Sequence, residues 1–468
     1  MADLIAQVQL PSPSPALTKL VARALATNAG GDGVDIRIKV AALGRAGRVD
    51  ELIEVLRDSG QSGAPGAAAR YALALLAAGR DDEACAIGLG TGPAETQGDR
   101  LSKRAIFLIP AYCAARGGDK NGARLALNLA RDSGADVGIA PAALEGGSRN
   151  LPKSVDVLDY LFLRLGGGGG SADIAAKATP ELLFLLARDR QVAPELRVAA
   201  AERAASLSIV DGAGLSSAYR DAAPALAKSA QSAPALRARL FATLEGQSSA
   251  KIRAESIDAL LASGRDAKIE IPLAQALAVT NEGLAQDAQG ASFAETGVRM
   301  AALAGEDEAA WQWTESGGAH ARSWQLLLAT TDPYGQRSRA TLDAGVDVAL
   351  NAGLPGALLQ RLVTVLDALG EDVPIPLWEL AAKTPQPNDG HLPATGVLTS
   401  LKQAADRGEL GRTVLLAAAV LGPDGPQGAH LIGLGDALRA LKRVGLDAEA
   451  RRLGFEALYA HWPQRGKV

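Results

Sequence analysis

The chain has 468 residues, of which 48% are hydrophobic and only 4% aromatic, and its formal net charge is −4. Its Lys and Arg residues are scattered singly, so it lacks the basic stripe with which proteins bind nucleic acid. Its longest apolar runs, such as 105–115, are well short of the roughly 20 residues that cross a bilayer. These totals favour a soluble protein without a membrane span, whose core consists mainly of alanine, leucine and valine.

The first segment, MADLIAQVQLPSPSP, lacks the basic region and the apolar core of a signal peptide. We therefore expect a cytoplasmic protein by default, or a periplasmic one if the chain is a mature form that carries an added methionine. The prolines of residues 10–15 predict an extended segment, because proline fixes its own backbone and disfavours helix in the preceding residue. From Ala16 onward apolar residues recur at helical spacing, which predicts an all-α protein.

A repeated turn separates several of these predicted helices. Each copy has a glycine, then a polar run, then a small or apolar residue one helical turn further on. We expect the glycine to close one helix in a left-handed cap and the polar residues to begin the next helix at its positive end. The first three copies are 32 and 39 residues apart, which is typical of helical-hairpin repeats. The five copies begin at Gly47, Gly79, Gly118, Gly305 and Gly445.

These turns resemble those of the tetratricopeptide (TPR) family, most clearly in residues 34–132 and 438–459. The middle of the chain, including the segments that begin at Pro194 and Pro234, is closer to HEAT-like helical pairs. The resemblance implies an irregular α-solenoid of stacked helical hairpins, in which no single hairpin buries its own apolar face. It also implies a concave superhelical surface that binds proteins or peptides.

A run of five glycines at 166–170, followed by Ser171, is the sharpest boundary in the sequence. A phosphate-binding loop needs a Lys and a Ser or Thr directly after its last glycine, and a strand before it. Here the next basic residue is Lys177 and the preceding segment is helical, so we expect a hinge instead. The predicted divisions are an N-terminal TPR-like array at 1–165, a central array at 172–330, and a C-terminal helical region at 331–468 with a TPR-like hairpin near its end.

The two cysteines, Cys85 and Cys113, lie inside predicted helices of neighbouring hairpins. A disulfide between them is compatible with that arrangement, but two cysteines in so long a chain fit no disulfide framework. We therefore expect buried free thiols that pack as small apolar residues.

The sequence contains no catalytic motif that we recognise, and we expect neither an enzyme nor a bound metal or cofactor. The histidines are far apart and lie in no metal-binding arrangement. They are His320, His391, His430 and His461.

The dipeptide Glu315-Ser316 is similar to the Glu–Ser pair of lytic transglycosylases, some of which carry a helical superhelix beside their catalytic domain. The downstream glycine-rich and aromatic motifs of that family are absent. A role as a cell-wall-related enzyme accessory is therefore the most remote interpretation. An enzyme would require Glu315, His320 and Arg322 to converge in one cleft.

Three of the five tryptophans lie within residues 311–325, on either side of a Gly-Gly turn. Aromatic and Arg side chains are favoured in binding hot spots, so this cluster is the candidate partner-binding site. The alternative interpretation is that the rings fill the gap between two alanine-rich helices, as we also expect for Trp378 and Trp462. The candidate residues are Trp311, Trp313, His320, Arg322 and Trp324.

The function that these observations favour is a non-catalytic scaffold or adaptor, which binds a partner protein or peptide on the concave surface of a helical-repeat array. The alternative is a helical binding module for an apolar or amphipathic small molecule, held in a cavity of several hundred cubic ångströms between helices. The sequence leaves the partner, the oligomeric state and the compartment open.

Overall fold

The protein is all-α in the computed structural model, which describes residues 1–27, 34–63, 67–89, 100–146, 151–228, 230–247, 249–278, 293–332 and 335–463. Over these ranges β-type pairing is limited to two isolated bridges, Val155 with Ala178 and His391 with Ala429. No helix within them combines the length and the apolarity needed to cross a membrane. The all-α prediction is confirmed.

Most helices pack against the helices next to them in sequence. In the first half of the chain they are α1 (Ala2–Gln7), α2 (Pro15–Ala26), α3 (Ile36–Arg45), α4 (Val49–Asp58), α5 (Ala68–Ala77), α6 (Asp81–Ala86), α7 (Arg100–Arg116), α8 (Lys120–Asp132), α9 (Ala140–Leu144), α10 (Val157–Leu165), α11 (Asp173–Lys177), α12 (Pro180–Arg188), α13 (Pro194–Ser206) and α14 (Gly212–Ala222). In the second half they are α15 (Ala233–Glu245), α16 (Ala250–Asp266), α17 (Glu270–Leu277), α18 (Ala294–Ala304), α19 (Asp307–Ser316), α20 (Ala319–Leu328), α21 (Gln336–Asp343), α22 (Gly345–Asn351), α23 (Gly356–Ala368), α24 (Ile375–Ala382), α25 (Thr395–Asp406), α26 (Leu410–Leu421), α27 (Leu431–Arg443) and α28 (Asp447–Tyr459).

The repeated turns have the backbone that the sequence predicts. Each of the five turn glycines has a positive φ, between 69° and 86°, a conformation that side-chain-bearing residues rarely adopt. A new helix begins two residues after the glycine in every copy. The predicted left-handed caps are therefore confirmed at Gly47, Gly79, Gly118, Gly305 and Gly445.

Small residues allow the helices to approach closely. A Cβ atom at Gly297 in α18 would clash with the indole of Trp313 in α19. A Cβ at Gly454 in α28 would lie 2.8 Å from Val365 in α23. Protein interiors are close-packed. Because this chain has few aromatic side chains to fill the space between helices, the helices pack at short distances from one another.

The two ends of the described chain are in contact, which the sequence did not indicate. Helix α2 packs against α26 and α28, and the Ser14 hydroxyl donates a hydrogen bond to the carboxylate of Glu456. The backbone N–H of Ala16 donates to the same carboxylate at 3.2 Å. Arg452, one turn earlier on α28, donates to the carbonyl of Ala302 at 2.9 Å. We call α28 and the residues that contact it the closing junction.

The structure joins Cys85 and Cys113 in a disulfide, with Cα atoms 5.7 Å apart. The prediction of two free thiols is therefore wrong. The physical reason is that α6 packs against both α5 and α7, which brings the short helix that carries Cys85 beside the helix that carries Cys113. The disulfide ties α6 to α7 and closes a loop with a sequence separation of 28 residues.

Helices on the two sides of the glycine run are in direct contact. Arg164 in α10, just before the run, lies 2.7 Å from Asp189, just after α12. Helix α12 also packs against α3 and α5, and Glu181 in α12 lies 3.5 Å from Arg70 in α5. A Cβ at Gly166 would clash with the carbonyl oxygen of Ala143, so the first glycine of the run is needed for close packing. The division of the chain at 165 and 172 stays a prediction.

Candidate functional site: a charged groove

Two neighbouring cavities, of about 1020 Å³ and about 490 Å³, lie side by side on the surface. They share the side chains of Phe184, Arg188 and Arg190, at the end of α12 and in the turn after it. We call this surface the charged groove. Its other lining residues include Gly47, Arg48, Asp50, Glu51, Gly79, Arg80, Asp81, Asp82, Glu83, Tyr112, Arg116, Arg164, Asp189, Gln191, Ile209, Val210, Asp211, Ser217 and Asp221.

Two of the repeated turns supply one side of the charged groove. The turn at Gly47 places Asp50 and Glu51 in the first turn of α4, and the turn at Gly79 places Asp81 and the two acids after it in the first turn of α6. Acidic side chains are stabilised at these positions because a helix begins with exposed N–H groups that carry partial positive charge. The sequence motif therefore lines the groove with carboxylates.

Every arginine that lines the charged groove pairs with a carboxylate. Five of the six pairs have an N–O distance of 2.7 to 2.9 Å. Several of these pairs are open to water, as in Arg188 and Asp50, whose side chains are each 55% exposed. The pairs are Arg48–Glu51, Arg80–Glu83, Arg116–Asp82, Arg164–Asp189, Arg188–Asp50 and Arg190–Asp221.

Beneath the ion pairs the floor of the groove is apolar and aromatic. Phe184 is buried, and the guanidinium of Arg188 lies over its ring at 4.6 Å from the centroid. Tyr112 is also buried, and its hydroxyl donates a hydrogen bond to Asp81 at 2.9 Å. Burial, together with the negative charge of Asp81, raises the pKa of Tyr112 to about 12, so the hydroxyl keeps its proton and remains a donor at neutral pH.

This arrangement is suited to binding charged groups. An exposed ion pair contributes about 0–1 kcal/mol, because water and salt screen it and because two long side chains must be ordered. A partner with its own acidic and basic side chains can therefore replace these pairs at little cost. The floor then offers apolar contact to whatever lies between those charges.

The structure places the sequence-predicted site residues elsewhere, on α19 and α20. Trp311, Trp313 and Trp324 are all buried, Trp324 to 1% exposure, whereas His320 and Arg322 are exposed. The rings are core residues, as the alternative interpretation expected. Partner binding by this set stays an untested prediction.

Trp324 is part of the closing junction. Its ring centroid lies 5.9 Å from that of Tyr459 and 6.5 Å from that of Trp462. The core packing expected for Trp462 is confirmed, but that expected for Trp378 is wrong, because Trp378 is 37% exposed. Within the described residues no hydrogen bond or ion pair joins Glu315, His320 and Arg322, and all three side chains are exposed.

A second cavity, of about 540 Å³, lies at the start of α10. The guanidinium of Arg104 contacts both Asp156 and Asp159, and those two residues form a capping box at the start of α10. Burial and the negative charge of Asp159 outweigh the attraction of Arg104 and raise the pKa of Asp156 to about 6. Asp156 is therefore a buried carboxyl group that titrates under mildly acidic conditions.

A third cavity, of about 530 Å³, lies at the closing junction, where three distant parts of the chain meet. Pro13 and Pro15 line one side, and Tyr459 and Trp462 line another. The guanidinium of Arg265 donates to the Tyr459 hydroxyl at 2.7 Å, and burial raises the pKa of that hydroxyl. The lining thus combines apolar and aromatic side chains with charged residues of both signs, among them Arg265, Glu270 and Asp424.

Over the part of the chain that the structure describes, no group of three or more His, Cys, Asp or Glu residues is arranged to hold a metal ion. No protein-family model matches the chain, and no curated protein or solved structure gives a significant match. A function must therefore be argued from the geometry of this chain alone.

Proposed function

We propose that this protein is a non-catalytic scaffold that binds an extended segment of a partner polypeptide in the charged groove. The observation that carries the proposal is that the two cavities share the side chains of Phe184, Arg188 and Arg190 and so lie next to each other. Their combined length is lined by elements on both sides of the glycine run, from α4 and α6 to α14. A long, open surface suits a polypeptide better than a compact metabolite.

The charges of the groove define the chemistry of the partner. Its lining contains six arginines and eight acidic residues, so both signs are present along its length. A segment with alternating acidic and basic side chains around one or more apolar residues would match the ion pairs and the Phe184 floor. Such complementarity contributes chiefly to specificity and association rate, and salt weakens it.

The fold supports the same proposal. We infer that the hairpins stack as an irregular α-solenoid, TPR-like at 34–132, whose ends close on each other at α28. Arrays of stacked hairpins commonly present extended binding surfaces. Two of the repeated turns lie in the groove, which would give the repeat a binding role as well as a structural one.

The experiment begins with a photo-crosslinking amino acid at Gln191, an exposed groove residue, in the native cell. The same substitution at Lys251, exposed and outside the groove, is the control. A synthetic peptide that covers the crosslinked segment of the partner is then titrated by fluorescence anisotropy. We expect Arg188→Glu with Arg190→Glu to weaken binding about tenfold or more, because like charges then face each other.

The matched control is Arg407→Glu with Arg412→Glu, two exposed arginines near Glu409 that do not line the groove. This pair changes the net charge equally and should leave the affinity unchanged. Equal weakening by both pairs would show that only net charge matters. An unaffected groove variant would reject the groove as the binding surface.

The disulfide between Cys85 and Cys113 is evidence about the compartment in which the protein is located. Disulfides persist in oxidising compartments and are rare in the cytosol, so we infer a periplasmic or extracellular location rather than the cytoplasmic default. Trapping the thiols of the native protein with a maleimide before lysis tests this inference. Labelling of Cys85 and Cys113 would overturn it, and labelling only after reduction would support it.

A second candidate function is binding of an amphipathic small molecule in the cavity at the closing junction. Its volume of about 530 Å³ lies within the range of ligand sites, and its wall combines prolines and aromatic rings with Arg265. Native mass spectrometry of protein purified from its own cell tests this candidate. A retained small ligand lost on Ala205→Trp, which would fill the cavity, would favour this candidate over the scaffold.

A further inference from the structure

Helix α8 exposes an apolar stripe beside uncompensated positive charge. Leu125 is 71% exposed, and Leu129 lies one turn further along the same face. Lys120, Arg124 and Arg131 are exposed and form no ion pair with any part of the chain that the structure describes. The opposite face of α8 packs against α7. The outer face of α8, which we call the basic face, therefore has no partner within the described protein.

A second unpartnered stripe lies on α24 and the neighbouring α22. Ile375, 72% exposed, and Trp378 lie on one side of α24 together with Glu379. Leu350 and Asp347 are exposed on α22, which packs against α24. Neither acid forms an ion pair within the described ranges. We call this surface the acidic face.

The two faces have opposite charge. Helix α8 contains three basic residues and one acid, whereas α22 and α24 together contain two acids and no basic residue. Both present leucine, isoleucine or tryptophan at helical spacing, which is how a helix offers anchors to another helix. Single exposed apolar residues need no explanation, but stripes rimmed by polar residues mark interaction sites.

We propose that copies of this protein associate head to tail, the basic face of one copy against the acidic face of the next. The main packing neighbours of α8 are α7 and α9, and those of α24 are α22 and α23, so the two faces belong to different parts of the fold. Each copy can therefore engage two others at once. Contact between unlike surfaces builds an open chain, or a ring where the rotation closes.

The contact is small, so the assembly is weak and sensitive to salt. Stable interfaces bury about 1,200–2,000 Å² in total, and a helix the length of α8 spans only about 20 Å. Sedimentation velocity at rising protein concentration should show a continuous increase in mass. The increase should diminish in high salt, because the paired charges are then screened.

Charge reversal tests the pairing of the faces. Arg124→Glu with Arg131→Glu makes the basic face acidic, and Asp347→Lys with Glu379→Lys makes the acidic face basic. Each variant alone should associate at least about tenfold more weakly, since both of its faces then carry the same sign. An equimolar mixture should recover association, because each variant then meets a face of opposite charge on the other.

Lys19→Glu with Lys251→Glu is the control, because it changes the net charge as much as the first variant but lies outside both faces. It should associate as the unmodified protein does. Thermal unfolding by circular dichroism confirms that each variant is folded. A monomer at every concentration, or variants that associate normally, would overturn the proposal. Failure of the mixture to recover would also overturn it, since it would show contact between like faces.

Discussion

The charged groove and the closing junction are built from the same residue types but differ in how much water reaches them. In the groove the arginines face carboxylates at the surface, as Arg188 faces Asp50. At the junction Glu456 is only 3% exposed and receives hydrogen bonds from Ser14 and Ala16. The comparison shows that a carboxylate can either hold a fold together or remain available to a partner.

The two regions differ in the state of the group that remains after its partner is removed. Removing one member of an exposed pair leaves a hydrated charge, which costs little. Removing a buried carboxylate leaves its hydrogen-bond donors unsatisfied and away from water, which costs about 1–3 kcal/mol for each donor. The groove should therefore tolerate substitution and the junction should not.

The largest effect is expected for Glu456→Ala. It leaves two donors, the Ser14 hydroxyl and the Ala16 N–H, without their acceptor. Each unsatisfied donor costs about 1–3 kcal/mol, so the free energy of unfolding should fall by about 2–6 kcal/mol in urea denaturation. Glu449→Ala is the matched control on α28, because the salt bridge of Glu449 with Arg23 is solvent-exposed. That control should lose under about 1 kcal/mol. Equal losses would remove the distinction between buried and exposed charge.

Trp324→Ala should have a comparable effect. Its ring is buried against Tyr459 and Trp462, so truncation creates a cavity in the junction and should lower the free energy of unfolding by about 3–5 kcal/mol. The groove peptide should still bind the folded variant with unchanged affinity. Weakened peptide binding without loss of stability would show that the tryptophan cluster is a partner-binding site.

An intermediate effect is expected for Asp156→Asn, measured as pH dependence. The folded pKa of Asp156, about 6, is above its ordinary value of 3.8, so the folded state holds this proton more tightly than the unfolded chain. Its contribution to stability is complete below about pH 4 and is lost as the pH rises through about 6. The asparagine variant keeps an acceptor for the Asp159 N–H. As the pH rises, its free energy of unfolding should fall by about 1–3 kcal/mol less than that of the unmodified protein.

Asp119→Asn is the control for this measurement, because Asp119 is also an N-cap residue but lies at the surface. Denaturant unfolding between pH 4 and pH 7 provides the comparison. If the two asparagine variants have the same slope of stability against pH, the buried carboxyl group at 156 is not the source of the dependence.

The smallest effect is expected for Arg188→Ala. The exposed pair with Asp50 should contribute less than about 1 kcal/mol to the free energy of unfolding. A larger loss in urea denaturation would show that the groove pairs hold α12 against α4 and are not free for a partner. The groove would then contain both ion pairs that stabilise the fold and ion pairs that are available to a partner.

The local structure could be predicted from sequence because its causes are local. Glycine in a left-handed cap and acids at a helix start act within a few residues, which is why the turn at Gly47 folds as expected. The contact of Ser14 with Glu456 joins residues 442 positions apart, and no pattern in a single sequence encodes it. Five of the eight acids of the groove lie within the recognised motif, but the pairing of one of them, Asp50, with Arg188 depends on how α12 packs.

The tryptophan cluster shows a second limit. Trp311 and Trp324 have the composition of a binding surface and equally that of a core between small residues, and only the packing of the helices around them decides between the two. The disulfide was missed for a similar reason, since a count of two cysteines does not reveal that α6 lies beside α7.

Contact between α2 and α28 also sets an order of events during synthesis. Ser14 leaves the ribosome long before Glu456, and at about 5–20 residues per second the intervening 442 residues take roughly 20–90 s. For that period α2 lacks the part of its cover that α26 and α28 provide, and the apolar side chains on that side are available to chaperones or to other nascent chains. Synthesis of α28 thus completes the surface that covers α2.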